Sequence, residues 1–178
     1  MEVILIGFMG SGKTTVSKIL AEKLNKTVVD MDQAIVESEK RSISEIFEDE
    51  GEEYFRKIEH EILLRVLRTH DGILATGGGT PLRIDNQQIL KKCDVPVILL
   101  EASSETTYSR IKADSGRPLA NGLSAKQLES VKRQRVQRYN SCADYKIITD
   151  DLTPEMVVSK VLAFVSSWNS KVKKHKCS

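Results

Sequence analysis

The sequence predicts an α/β fold: three α/β/α layers around a five-stranded parallel sheet. Three observations predict it. Five short apolar or β-branched runs alternate with helical stretches, the pattern of a parallel sheet covered on both faces. A glycine-rich turn joins the first run directly to the first helix. Two polar stretches, 33–60 and 113–122, project from that sheet. The 178 residues favour one domain, 1–178, with a single core.

The elements follow in order. Val3 to Ile6 is a short apolar run, a buried strand. After "GFMGSGKTT", Val16, Ile19, Leu20 and Leu24 recur at helical spacing. "TVVDMD" (27–32) is β-branched and ends in acids, a second strand. Ser42 with Glu45 has the form of a capping box and opens a short helix. Residues 51–70 put Phe55, Ile58, Ile62 and Val66 on one face of a long amphipathic helix. "GILAT" (72–76) and "VPVILLEAS" (95–103) are the third and fourth strands, and Thr106 to Lys112 is helical. Ser124 with Gln127 caps a helix to about Tyr139. "YKIIT" (145–149) is the fifth strand. Thr153 and Pro154 suit the cap and first turn of a last helix through Trp168.

Bulk properties exclude several classes. A net charge of +2 is too small to argue for nucleic acid or an anionic membrane. No run approaches the roughly 18 apolar residues of a membrane span. "MEVILIGF" has an acid where a signal peptide wants basic residues. Cys93, Cys142 and Cys177 are odd in number and far apart, so neither a disulfide framework nor a zinc site is suggested. These features predict a reduced, cytoplasmic protein. The basic tail, 169–178, predicts a solvated, frayed end.

"GFMGSGKT" fits G-x-x-x-x-G-K-[ST] through Gly7, Gly12, Lys13 and Thr14, between a strand and a helix as the phosphate-binding motif requires. Backbone N–H groups of the loop and the helix N-terminus cradle phosphate oxygens. Lys13 reaches the β- and γ-phosphates, and the Thr14 hydroxyl is a ligand for Mg²⁺. The nucleotide set is Gly10, Ser11, Gly12, Lys13, Thr14 and Thr15.

Asp30 and Asp32 alternate at the end of the second strand, which predicts both on one face at the sheet edge where ligands gather. One acid would hold Mg²⁺ or its water. The other would accept the proton of an attacking hydroxyl. "TGGGTP" follows the third strand and lies at the same edge. Since a phosphate loop already serves the nucleotide, Gly77, Gly78 and Gly79 are expected to face the second substrate. Arg56 and the arginines of "RQRVQRY" lie on helices. Unaided, the residues point to a small-molecule kinase whose acceptor carries an anionic group.

Together, "GFMGSGKT", "DMD", "SISEIFEDEGEEYFRKIE", "TGGG", "RPL" and "RQRVQRY" resemble shikimate kinase, a family of the nucleoside-monophosphate-kinase-like P-loop fold, from Val3 to about Val165. The resemblance implies ATP-dependent phosphorylation of the shikimate 3-hydroxyl, with Mg²⁺, by a monomer. It implies a helical substrate-binding region at about 31–61 and a lid at about 112–124. It gives Asp32 the ring hydroxyls and the attacking one, and Asp30 the Mg²⁺. Arg56 and Arg135 would clamp the carboxylate, as planar guanidiniums suit, with Glu59 orienting Arg56. Phe47 and Phe55 would flank the ring. The glycine loop, chiefly Gly78, would bind a hydroxyl through its backbone. Arg117 of "SGRPL" would close over the phosphates, and Arg110 and Pro154 would line the adenine slot. The lid reads "RPLA" where many relatives read R-P-L-L. That departure bears on how tightly the lid closes.

Two alternatives stay open at this point. One is another kinase of the same fold, acting on gluconate or a nucleoside monophosphate. The other is an inactive P-loop module that only binds nucleotide. Against the second, Lys13, Thr14, Asp30, Asp32, Arg56, Arg117 and Arg135 are all present.

Overall fold

The computed structural model describes residues 1–113 and 124–176. Five strands, β1 (Val3–Ile6), β2 (Thr27–Asp30), β3 (Gly72–Ala75), β4 (Val97–Glu101) and β5 (Tyr145–Ile148), form one sheet in the order β2-β3-β1-β4-β5. Every pairing is parallel, with Ile4 opposite Leu74 on one side and Val97 on the other. The helices among the described residues are α1 (Lys13–Leu24), α2 (Met31–Glu39), α3 (Ile43–Asp49), α4 (Gly51–Thr69), α5 (Ile84–Lys92), α6 (Ser104–Ala113), α7 (Ala125–Cys142) and α8 (Pro154–Lys176).

Strand alternation splits the core into two apolar layers. Val3 and Leu5 of β1 face α1 and α8, packing with Leu20, Val158 and Val161. Ile4 and Ile6 face the other way, toward Met31 and Ile35 of α2, Leu63 of α4 and Leu128 of α7. Burying each such side chain contributes about 1.5–3 kcal/mol. Because all five strands run the same way, their carboxyl ends share one edge. The loops after β1, β2 and β3 therefore meet there.

Both capping boxes form: Ser42 with Glu45 opens α3, and Ser124 with Gln127 opens α7. Other expectations change. The second strand stops at Asp30 and not at residue 32, because the Asp30 side chain accepts the Asp32 N–H and caps α2. Met31 and Ile35, one helical turn apart, then bury completely. Asp30 and Asp32 thus do not share a strand face. A 3₁₀ turn (Thr80–Leu82) and α5 fill the stretch between the third and fourth strands, to which the sequence pattern had given no element. The last helix runs past Trp168 to Lys176, where no glycine or proline interrupts it, so the tail to that point is helical and not frayed.

Candidate active site

The loop after β1 wraps a helix N-terminus. Gly7 has φ 152°, and a Cβ there would lie 2.3 Å from the Leu100 carbonyl oxygen, so only glycine lets β1 turn against β4 at this point. Gly12 is the N-cap of α1 and no side chain caps it, so the first amides of the helix have no partner within it. Lys13 is buried, and its Nζ donates to the carbonyls of Gly7 (2.8 Å) and Phe8 (3.1 Å), curling over the loop. Ser11 is buried, whereas Thr15 is exposed on α1.

Asp30 serves two neighbours. Its Oδ1 caps α2, and its Oδ2 accepts the Thr14 hydroxyl at 2.8 Å. A hydroxyl and a carboxylate in contact at the end of a phosphate loop are hard oxygen donors of the kind magnesium takes. No group of three or more His, Cys, Asp or Glu side chains able to hold a metal occurs among the described residues. Such a site therefore suits an ion whose remaining ligands come from phosphate and water.

The second glycine loop lies across this edge, and its glycines are there for different reasons. A Cβ on Gly77 would sit 2.7 Å from Glu59 Oε1 and 2.8 Å from Asp32 Oδ1. One on Gly79 would sit 2.1 Å from Arg56 Nη1. Both positions lack a side chain because three functional side chains occupy that space. A Cβ on Gly78 would make only ordinary contact, 3.4 Å from the Met9 amide nitrogen. Gly78 is the half-exposed member, open to a ligand.

Arg56 is held from two sides. Its Nη1 donates to Glu59 Oε2 at 2.9 Å, and its Nε and Nη2 donate to Glu52 Oε1. Glu59 has no solvent exposure, and its second oxygen accepts the Thr80 hydroxyl at 2.8 Å. Burial pushes the Glu59 carboxyl above its usual range, against the pull of Arg56 and Thr80. Burial also disfavours the Arg56 charge, but Glu59 and Glu52 outweigh it and raise its pKa.

Arg135 projects from α7 with its guanidinium carbon 5.7 Å from the Phe8 ring centre. One turn on, Tyr139 is buried and donates to the Gly78 carbonyl. Burial drives its pKa up to about 12, although Arg135 and Arg56 both pull it down, so α4 and α7 bring two cations to one place. Phe55 is buried with Phe47 against it, ring centres 4.6 Å apart.

Arg110 ties the first loop to the end of β5, donating to the Gly10 carbonyl and to Thr149. Pro154 opens α8 on the exposed surface. Arg117 and most of the expected lid lie outside the described residues.

Sequence reading thus collected Lys13, Thr14, Asp30, Asp32, Arg56, Glu59 and the glycine loop. It missed Thr80, Asn86 and Tyr139. Tyr139 stood in the quoted "RQRVQRY" without being singled out, and Thr80 directly follows the glycines.

A phosphate loop, a helix-capping acid beside its threonine and a second loop fringed by an acid and arginines define a P-loop phosphotransferase for a small acceptor. The chain belongs to the shikimate kinase family, whose profile matches residues 9–166. It is 45% identical over 165 residues to a shikimate kinase of Limosilactobacillus fermentum, covering 93% of this chain and 95% of that one. It is 38% identical over 170 residues to one from Caldicellulosiruptor saccharolyticus, covering 95% and 98%. Among solved structures, a shikimate kinase from Acinetobacter baumannii in complex with shikimate superposes with a TM-score of 0.86 at 32% identity, covering 93% and 92%.

The Arg56–Glu59 pair yields a stability prediction. Glu59→Leu alone costs about 2–3 kcal/mol in urea unfolding, because it leaves the largely buried guanidinium with only the exposed Glu52 and the buried Thr80 hydroxyl without its carboxylate. Arg56→Met with Glu59→Leu recovers at least about half of that loss. A double variant as unstable as the single would show that the two charges are not coupled.

Proposed function

We propose that this chain transfers the γ-phosphoryl group of ATP to the 3-hydroxyl of shikimate, giving shikimate 3-phosphate and ADP on the route to chorismate and the aromatic amino acids. The observation that carries the acceptor's identity is the family match across 9–166. The site supplies the residue roles.

Loop amides of Gly10, Ser11 and Gly12, with Lys13, Thr14 and Thr15, hold the phosphates. Arg110 and Pro154 border the adenine. Thr14 and Asp30 would hold Mg²⁺, which when bound neutralises charge on the phosphate oxygens. Arg56 and Arg135 clamp the shikimate carboxylate, with Phe47 and Phe55 on the apolar side of the ring. Gly77, Gly78 and Gly79 offer backbone to its hydroxyls. Asp32 orients the 3-hydroxyl and accepts its proton as oxygen attacks the γ-phosphorus. The bond from that phosphorus to the β-bridging oxygen breaks, and ADP leaves. Arg117 on the lid would meet the charge that develops on the transferred group. In this reading the enzyme is a monomeric, cytoplasmic protein. No helix among the described residues is long and apolar enough to cross a membrane.

ADP release from MgATP tests the reading, with gluconate and AMP as parallel acceptors. Shikimate alone should drive release. Release driven by gluconate or AMP would overturn the acceptor, and ATP binding with no release under any acceptor would leave only a nucleotide-binding module. In the same assay Asp32→Asn should lower turnover at least ~100-fold with the KM for ATP within about twofold; near-normal turnover removes Asp32 from the proton transfer.

Gly79→Ala probes the clamp by sterics alone. The new methyl meets the terminal guanidinium of Arg56 and no backbone atom, so the fold survives while the guanidinium is displaced. The KM for shikimate should rise about tenfold or more, and that for ATP should hold. An unchanged shikimate KM would place Arg56 outside the acceptor site.

A further inference from the structure

We infer that Thr80 is a positioning residue for the acceptor clamp: its hydroxyl fixes the Glu59 carboxylate that in turn aims Arg56. The inference rests on the functional reading above and extends it to a residue that touches neither substrate.

Glu59 has two oxygens and two partners. Oε2 takes Arg56 at 2.9 Å and Oε1 takes the Thr80 hydroxyl at 2.8 Å. With both oxygens engaged, the carboxylate plane is set and Arg56 has one place to dock. Without the hydroxyl, Glu59 keeps a single anchor, and Arg56 is left with the exposed Glu52 as its one fixed partner. A hydrogen bond to a buried charge is among the stronger ones in a protein.

Thr80 is itself held by a circuit that leaves α4 and returns to it. Its amide donates to the Gly77 carbonyl at 3.2 Å, so it is tied to the glycine loop. Its carbonyl accepts the Asn86 amide nitrogen at 3.0 Å. The Asn86 amide oxygen then lies 2.6 Å from His60 Nδ1. Since the Asn86 nitrogen donates to Thr80, its oxygen must accept, which puts a proton on His60 Nδ1. Neutral and charged forms of His60 both meet that requirement. His60 directly follows Glu59 on α4. Glu59, Thr80 and Asn86 have no solvent exposure. A closed ring of buried polar contacts is costly to leave half made, and this one ends on the residue that orients Arg56.

The test compares steady-state constants of the full-length protein with those of Thr80→Val, which keeps the shape and loses the hydroxyl, and Thr80→Ser, which keeps the hydroxyl. Thr80→Val should raise the KM for shikimate about tenfold, with the KM for ATP within about twofold and kcat changed less than the shikimate KM. Thr80→Ser should restore the parent shikimate KM to within about threefold. If Thr80→Val does not fold, Thr80→Ala, which adds no bulk, is measured in its place against the same expectations. A parent-like shikimate KM without the hydroxyl would overturn the inference. So would equal losses in the serine and valine variants, or a parallel rise in the KM for ATP. The unaltered protein is assayed alongside: if it releases no ADP in response to shikimate, the functional reading itself fails. If it does and the hydroxyl proves irrelevant, only the role of Thr80 fails.

Discussion

A carboxylate shut away from water, Glu59, is the constraint around which the acceptor half of this molecule is arranged. An isolated charge in that position would be unstable by several kcal/mol. It is tolerated because Arg56 and Thr80 take one oxygen each. Those two contacts dictate the rest. Gly77 and Gly79 must be bare because Glu59, Asp32 and Arg56 fill the space their side chains would need. Three consecutive glycines weaken any regular element, so the chain crosses this point as a loop, and the 3₁₀ turn and α5 restart order behind it. Tyr139 then secures the Gly78 carbonyl from the far side.

The nucleotide half rests on a different constraint, the parallel sheet. β1, β2 and β3 are neighbours in the order β2-β3-β1, so the phosphate loop, the Asp30 cap and the glycine loop emerge side by side at one edge. No long-range search is needed to bring donor and acceptor groups together. The topology does it once the strands pair. Asp30 joins the two halves. It caps the helix that carries Asp32 and accepts the hydroxyl of Thr14, so the phosphate-loop threonine and the acid proposed to take the proton are both fixed by one side chain.

Much of this was legible in the sequence where a local pattern has a local cause. The five strands, the phosphate loop and both capping boxes could be placed from spacing, and the resemblance paired Arg56 with Glu59. Asp30 and Asp32 were misread because "VVDMD" alternates like a strand, while an aspartate that caps a helix produces the same letters. The full burial of Met31 and Ile35 decides between the two, and burial is a tertiary fact. Three identical residues carry no sign of which one faces a neighbour, and the crowded positions are Gly77 and Gly79, with Gly78 the half-exposed one. Thr80, Asn86 and Tyr139 act through backbone carbonyls or through another side chain, and such contacts leave no periodicity to read. Family membership bears out the resemblance but assigns no role to these three.

In the proposed function the carboxylate clamp stands ready in the folded chain before any nucleotide arrives. Calorimetric titration of the nucleotide-free protein with shikimate and with its methyl ester tests this most directly. The account predicts saturable binding of shikimate alone and an ester at least ~10-fold weaker, since the ester forfeits charge-assisted hydrogen bonds worth roughly 1.5–3 kcal/mol. Equal affinities for acid and ester, or no shikimate binding until ATP is added, would contradict it.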